Sequence, residues 1–132
     1  MAVPSPAELL ALMPFAEACG IRLDRAAADE VAATMDWAPE RCTSAGILHG
    51  GAIMTLADSV GAVCAFLNLP DGAATSTIES KTNLFRAVRQ GAAHAVTRPL
   101  HVGRTTIVVQ TDVVDDDGKR VAQVTQTQAV LH

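Results

Sequence analysis

Residues 47–70 read ILHGGAIMTLADSVGAVCAFLNLP. A histidine and two glycines open the stretch, and the apolar run that follows is broken by a single carboxylate, Asp58. An ionised carboxylate among apolar residues costs several kcal/mol unless it is solvated, paired or neutralised. The run has the length of about five helical turns at 3.6 residues per turn. It predicts one long helix from Gly50 to Leu67, with Asn68 and Pro70 as stop signals and Asp71-Gly72 as a turn. Ala45 to Leu69 also approaches the ~20 apolar residues that span a bilayer. Asp58 would then lie near mid-membrane at a cost of about 2.5–3.5 kcal/mol, beside His49, Thr55 and Ser59 and with no flanking basic cluster. A helix buried on nearly all sides by its own protein is the expectation.

Outward from this helix the hydrophobic period changes. Thr75–Phe85, Ala92–Leu100, Arg104–Val114 and Arg120–Leu131 are rich in Val, Ile and Thr and are separated by Gly91, Gly103 and the Asp115-Asp116-Asp117-Gly118 turn. Four consecutive strands on short turns predict an antiparallel meander. Upstream, Ser5-Pro6-Ala7-Glu8 has the form of a capping box and predicts a short helix ending near Cys19-Gly20. Glu30–Trp37 predicts a strand that stops before Pro39, and residues 38–48 a loop. The sum is an α+β arrangement, a curved antiparallel sheet wrapped around one long central helix, in a single domain over residues 1–132. Around Thr105, Ile107, Val109 and Val113 both faces of the sheet read as fairly apolar, which predicts self-association.

Composition narrows the function. A net charge of -4 and 3% aromatic residues offer neither a phosphate-attracting field nor stacking platforms, so nucleic acid is not an expected partner. No membrane partner is expected either. Cys19, Cys42 and Cys64 have no paired spacing, and the four histidines (His49, His94, His101, His132) are not spaced with carboxylates for a metal. The first twenty residues lack a basic region and carry Glu8 and Glu17, which predicts a cytoplasmic protein rather than a secreted one.

The chemistry gathers at the helix. Gly50 and Gly51 fall at its start, where backbone N–H groups lack partners and the dipole is positive, so the pair reads as an anion or oxyanion site. His49 can orient the loop, polarise a substrate, or serve as acid or base. Asp58 can be a nucleophile on an acyl carbon or a general base for water. From Asp71 to Val114, five basic residues (Lys81, Arg86, Arg89, Arg98, Arg104) outnumber three acidic ones (Asp71, Glu79, Asp112), a stretch suited to phosphates.

HGG with Asp58 beyond it, the ESKTNLFRAVRQG stretch and the PLHVGRTTIVVQTDVVDDDGK hairpin together resemble the hotdog-fold acyl-CoA thioesterases. The likeness covers roughly residues 40–131 and is to the phenylacetate-degradation and dihydroxynaphthoyl-CoA types. It implies that the Gly50 N–H receives the thioester oxygen, that Asp58 attacks the carbon or activates water, and that Thr77 assists from the following strand. It offers Arg86, Arg89, His101, Gly103 and Arg104 as holders of coenzyme A, with Gly51 beside Gly50. Coenzyme A is part of the substrate, and no separate cofactor is implied. Thr43 stands where the family commonly has Asn or Gln to position the water or the histidine loop. Asp58 replaces the Glu of the dihydroxynaphthoyl type, a slight lean to the phenylacetate type.

Two other functions share these residues: a hotdog dehydratase or hydratase using His49 with Asp58, and a non-catalytic acyl-CoA-binding protein. Helix arithmetic adds a further expectation. Gly50 and Asp58 are eight residues apart, about 12 Å along the axis, whereas an oxyanion donor and a nucleophile must both lie within roughly 3 Å of one reacting group. A two-fold dimer with antiparallel helices resolves this, and the resemblance implies the same shared site. A homodimer at least is expected, assembled as a dimer of dimers, a homotetramer.

Overall fold

The computed structural model describes residues 3–132. Its elements are α1 (Pro6–Ala11), α2 (Pro14–Ala18), β1 (Ile21–Ala26), β2 (Val31–Asp36), α3 (Gly50–Leu67), β3 (Ala74–Leu84), β4 (Ala92–Val102), β5 (Thr106–Val114) and β6 (Arg120–Leu131). The six strands form one antiparallel sheet in the order β1-β2-β4-β5-β6-β3. Helix α3 packs against all six strands. The expected α+β wrap of a curved sheet around one helix is therefore present.

The long helix has the predicted bounds. At its end Asn68 Nδ2 donates to the carbonyls of Cys64 and Ala28, both at 2.8 Å, which ties the helix terminus to the β1–β2 connection. Ile53, Leu56, Ala57, Val60, Val63 and Cys64 are buried, and burial pushes the Cys64 thiol up to about 11. The hydroxyls of half-buried Thr55 and buried Ser59 bond within the helix: Thr55 Oγ1 donates to Gly51 O at 2.9 Å and Ser59 Oγ to Thr55 O at 2.7 Å. The helix is not buried all round, however. Met54, Asp58 and Phe66 are exposed and Ala62 half-buried, a stripe at four-residue spacing along one face. Apolar residues at Met54 and Phe66 disguise that face in the sequence.

Three other expectations change. The first helix is broken in two, because Pro14 lacks an N–H and disfavours helical geometry at Met13, whose ψ is 73°. Strand β1 was not predicted, since only Ile21 and Leu23 among its charged residues carry an apolar signal. It pairs with β2 and is trimmed by an Arg22–Asp36 ion pair at 2.7 Å. Arg22 holds the Asp36 carboxyl below its ordinary value, but both partners are more than half exposed and such pairs contribute little.

The third change concerns the meander. Strands β4, β5 and β6 do follow one another, but β3 lies beyond β6 at the far edge, and β2 occupies the place beside β4. Residues 85–91 make the crossing under the start of α3. They are fastened by Phe85 N–H to Val121 O (2.7 Å), Leu48 N–H to Val88 O (2.9 Å) and Trp37 N–H to Gly91 O (2.7 Å). The outer face of the sheet is also more polar than expected, with Thr106, Gln110, Asp112, Gln123, Thr125 and Thr127 half-buried among Val96, Val108 and Val114.

Replacing Asn68 by Ala removes both bonds at the end of α3. We expect Asn68→Ala to lower unfolding stability by about 1–3 kcal/mol, read as a shift of the urea midpoint at constant slope. An unchanged midpoint would mean that the terminus is held by packing alone.

Candidate active site

The start of α3 is built by the loop before it. Thr43 N–H bonds Ile47 O at 2.8 Å and His49 N–H bonds Arg41 O at 2.9 Å, around Ala45 at φ 65°. His49 is the N-cap residue: its Nδ1 accepts from the Gly51 N–H at 2.8 Å. In the neutral ring the proton is then on Nε2, which is left as a donor on an exposed side chain. A Cβ on Gly51 would come within 2.9 Å of His49 Nδ1, so glycine is what lets the ring fold back. The expectation that both glycines offer an N–H is corrected here, since the Gly51 N–H is already used by His49. The Gly50 N–H differs. Four residues back, the Gly46 carbonyl accepts from the Trp37 indole at 2.9 Å, and at the first helical position Gly50 has no intrahelical acceptor.

Asp58 is exposed rather than buried, which corrects the expectation drawn from its apolar neighbours. Its Oδ1 accepts from Gln126 Nε2 at 2.6 Å and makes a long contact of 3.5 Å with Thr77 Oγ1. Thr77 accepts in turn from Gln128 Nε2 at 2.8 Å, and Gln128 Oε1 accepts from Thr75 Oγ1 at 3.1 Å. A β-bulge shapes this arrangement. Thr77 pairs with Gln128 and Glu79 with Thr127, so Ile78 is the extra residue, and both Thr77 and Ser80 lie opposite inward-facing glutamines.

Gly50 and Asp58 do not meet within one protomer. Gly50 lies in a depression with Thr43, Ile47, Leu48, Leu84 and Arg86, whereas Asp58 lies in a groove with Met54, Thr55 and Ser80. Of the predicted residues, Thr43, Gly50 and Arg86 come together; Asp58 and Thr77 form a second group; His49 and Gly51 face a third depression with Arg41 and Phe15. Arg89 sits beside Lys119 and the Asp115–Asp117 turn. His101, Gly103 and Arg104 lie at the opposite end of β4, roughly 30 Å away at 3.3 Å per residue. There Gly103 N–H closes the hairpin onto Thr106 O at 2.8 Å, and His132 bonds Arg104 O at 3.1 Å. The basic stretch is therefore not one patch, because a strand carries its two ends apart.

Sequence reasoning missed Gln126 and Gln128, each 1% exposed. The signal was available in Thr125-Gln126-Thr127-Gln128: in a strand, alternate residues share a face, and two amides facing a core need partners. Arg41 and Lys119, beside the helix start and the crossing loop, were also passed over.

Comparison with known proteins fits this geometry. Residues 45–122, more than half of the chain, match the thioesterase superfamily. The chain is 32% identical over 115 residues to the proofreading thioesterase EntH of Cronobacter turicensis, covering 87% of this chain and 84% of that protein. It is 32% identical over 111 residues to the 1,4-dihydroxy-2-naphthoyl-CoA hydrolase of Escherichia coli, covering 84% and 82%. A mutant of the Pseudomonas aeruginosa thioesterase PA1618 superposes with a TM-score of 0.92 at 30% identity, over 98% of this chain and 96% of the other. With its central helix, six-stranded antiparallel sheet and matching family profile, the chain belongs to the thioesterase superfamily, a hotdog-fold thioester hydrolase.

Proposed function

We propose that the protein hydrolyses a small or aryl acyl-CoA, at sites each shared between two protomers. The observation that carries this reading is the separation of an open Gly50 N–H and an amide-held Asp58 into different depressions of one chain. Self-association is supported by β3, an edge strand that is exposed along nearly its whole length, with Ile78 at 62% exposure. The exposed stripe of α3 lies beside it. Antiparallel apposition of two such helices brings the start of one to the middle of the other. The more polar outer sheet face is the candidate surface for a second-order contact, a dimer of dimers. The cytoplasm is the proposed location.

The chemistry follows from the groups at hand. The thioester oxygen accepts from the Gly50 N–H, and the His49 Nε2–H borders the same helix start. On the other side, an Asp58 oxygen either takes a proton from water as the water oxygen adds to the carbonyl carbon, or adds to that carbon itself. The tetrahedral centre collapses with loss of the C–S bond, and the coenzyme A thiolate leaves and takes up a proton. In the second route water then hydrolyses the acyl-aspartyl anhydride. No reacting group beyond water and the chain's own residues is required. A dehydratase pairing of His49 with Asp58 is disfavoured, since Nδ1 of His49 is committed to the helix cap.

The acyl group has a candidate place. One to two turns beyond Asp58, Ala62, Val63 and Phe66 join Leu9, Leu12 and Met13 in an apolar cleft of about 180 Å³. An apolar cavity of about 150 Å³ is enough to hold benzene. This supports a small apolar or aryl acyl group over a charged one. Arg86, at the rim of the Gly50 depression, is the basic residue best placed for a phosphate of the nucleotide.

A panel of short-chain, medium-chain and aryl acyl-CoAs, followed by thiol release, tests the activity; no turnover on any member contradicts it. On the best substrate, Asp58→Asn should lose about 10²–10⁴-fold in kcat with an unchanged melting temperature, because an exposed Asn can still accept from Gln126. Turnover within a few-fold of wild type would remove Asp58 from the chemistry.

Arg86→Ala should raise KM about 5–30-fold and change kcat little, as expected for a lost charge-assisted contact made equally in ground and transition states. Unchanged KM would place the phosphates elsewhere.

A further inference from the structure

One buried group has no task in that chemistry. Gln126 faces inward from β6 at 1% exposure beside Gln128, the two amides lying between the buried apolar residues Val124 and Val130. Burying a primary amide there is costly, and an aliphatic side chain would be cheaper. Half of the amide is satisfied: Nε2 donates to Asp58 Oδ1 at 2.6 Å and lies 3.3 Å from Thr77 Oγ1. The other half is not, since Oε1 is buried with no hydrogen-bond partner among the described residues. Pairing with Asp58 is thus obtained at the expense of an orphaned acceptor.

A second costly residue stands opposite. Gly61 is in the interior of α3, where glycine is less favourable than alanine by about 0.5–1 kcal/mol. A Cβ built there would overlap Gln126 Oε1, lie 3.0 Å from its Cδ, and approach Val109 Cγ2 at 3.3 Å. So the helix gives up a side chain at the one place where the Gln126 amide must pass. Two unfavourable choices on different elements serve the same contact.

We infer that Gln126 is a positioning residue for Asp58: its buried N–H pins Oδ1 against the sheet, so that Oδ2 is the oxygen presented to the groove, and Gly61 exists to admit the amide. Rotation about the terminal carboxylate torsion is otherwise broad and two-fold. Pinning one oxygen leaves a single reacting oxygen on a single heading, with Ser80, Met54 and Thr55 around it. Gln126 itself is too deep to touch a substrate. Its effect must therefore pass through Asp58 and appear in kcat, not in KM. The inference rests on the reading of Asp58 as the reacting carboxylate.

Steady-state kinetics and melting temperature of Gln126→Met, Gly61→Ala, their combination and Asp58→Asn, on the best acyl-CoA of the panel, test it. Gln126→Met keeps the volume and removes the donor. It should lower kcat about 10–100-fold, the range of a hydrogen bond to a charged group, with KM within about 3-fold. The melting temperature should hold or rise, because the orphaned Oε1 is gone and an unbranched thioether fits the space. Gly61→Ala should lower kcat comparably, and the combination should fall no further than Gln126→Met alone, since both remove one contact. Wild-type kcat in Gln126→Met beside an inactive Asp58→Asn overturns the positioning role and leaves the carboxylate assignment standing. An active Asp58→Asn overturns both. Should Gln126→Met fail to fold, Gly61→Ala decides: unchanged kcat there contradicts the inference.

Discussion

A rigid helix fixes the distance between its own residues, and most of this structure follows from the roughly 12 Å that α3 sets between the Gly50 N–H and Asp58. Neither group can move toward the other without breaking the helix. The sheet reinforces the separation. Its crossing loop, residues 85–91, closes around the helix start, while β3 and β6 close around the helix middle. What the protomer offers is an N–H and a carboxylate in two separate depressions along one rigid rod. In the proposed dimer, a two-fold partner laid antiparallel against the free edge of β3 would make two whole sites from four halves and cover the Met54–Phe66 stripe that the protomer leaves open.

The carboxylate in the apolar run is stable for reasons of placement. Asp58 keeps one side toward solvent and receives an amide donor from beneath. The polar ladder under it is one continuous chain of donors and acceptors from Thr75 through Gln128 and Thr77 to Gln126. The bulge at Ile78 keeps this ladder in step, because without the extra residue Thr77 and Ser80 would face opposite sides of the sheet. Local irregularity in an edge strand thus sets the orientation of a side chain on a helix.

Much of this was legible in the residues. The bounds of α3 followed from His49-Gly50 and Asn68-Pro70, and Ser5 and Glu8 form the capping box that their spacing implies. The features that were misread share a physical cause, in that they depend on what lies across the sheet. Strand order is decided by which edges meet, so β3 could leave the meander without any change in its own pattern. Exposure of Asp58 depends on the sheet ending at β3, and the dispersal of Arg86, Arg89, His101 and Arg104 depends on the length of β4. Gln126 was visible as an alternating glutamine, yet its meaning needed Gly61 and Asp58 on a different element.

Mixing two inactive proteins tests the shared site most directly. Asp58→Asn removes the carboxylate, and Gly50→Pro removes the open N–H. Proline suits this position, being first in the helix and preceded by His49 at φ -61° and ψ 134°, the extended geometry that a following proline prefers. Each homodimer should be slow, the proline form by about 10²–10³-fold for one lost oxyanion donor. In a heterodimer one site carries both lesions and the other neither, so about half of the wild-type activity per heterodimer should return. Heterodimers that form, as seen by native mass spectrometry, and remain inactive would contradict a site built from Gly50 of one chain and Asp58 of the other.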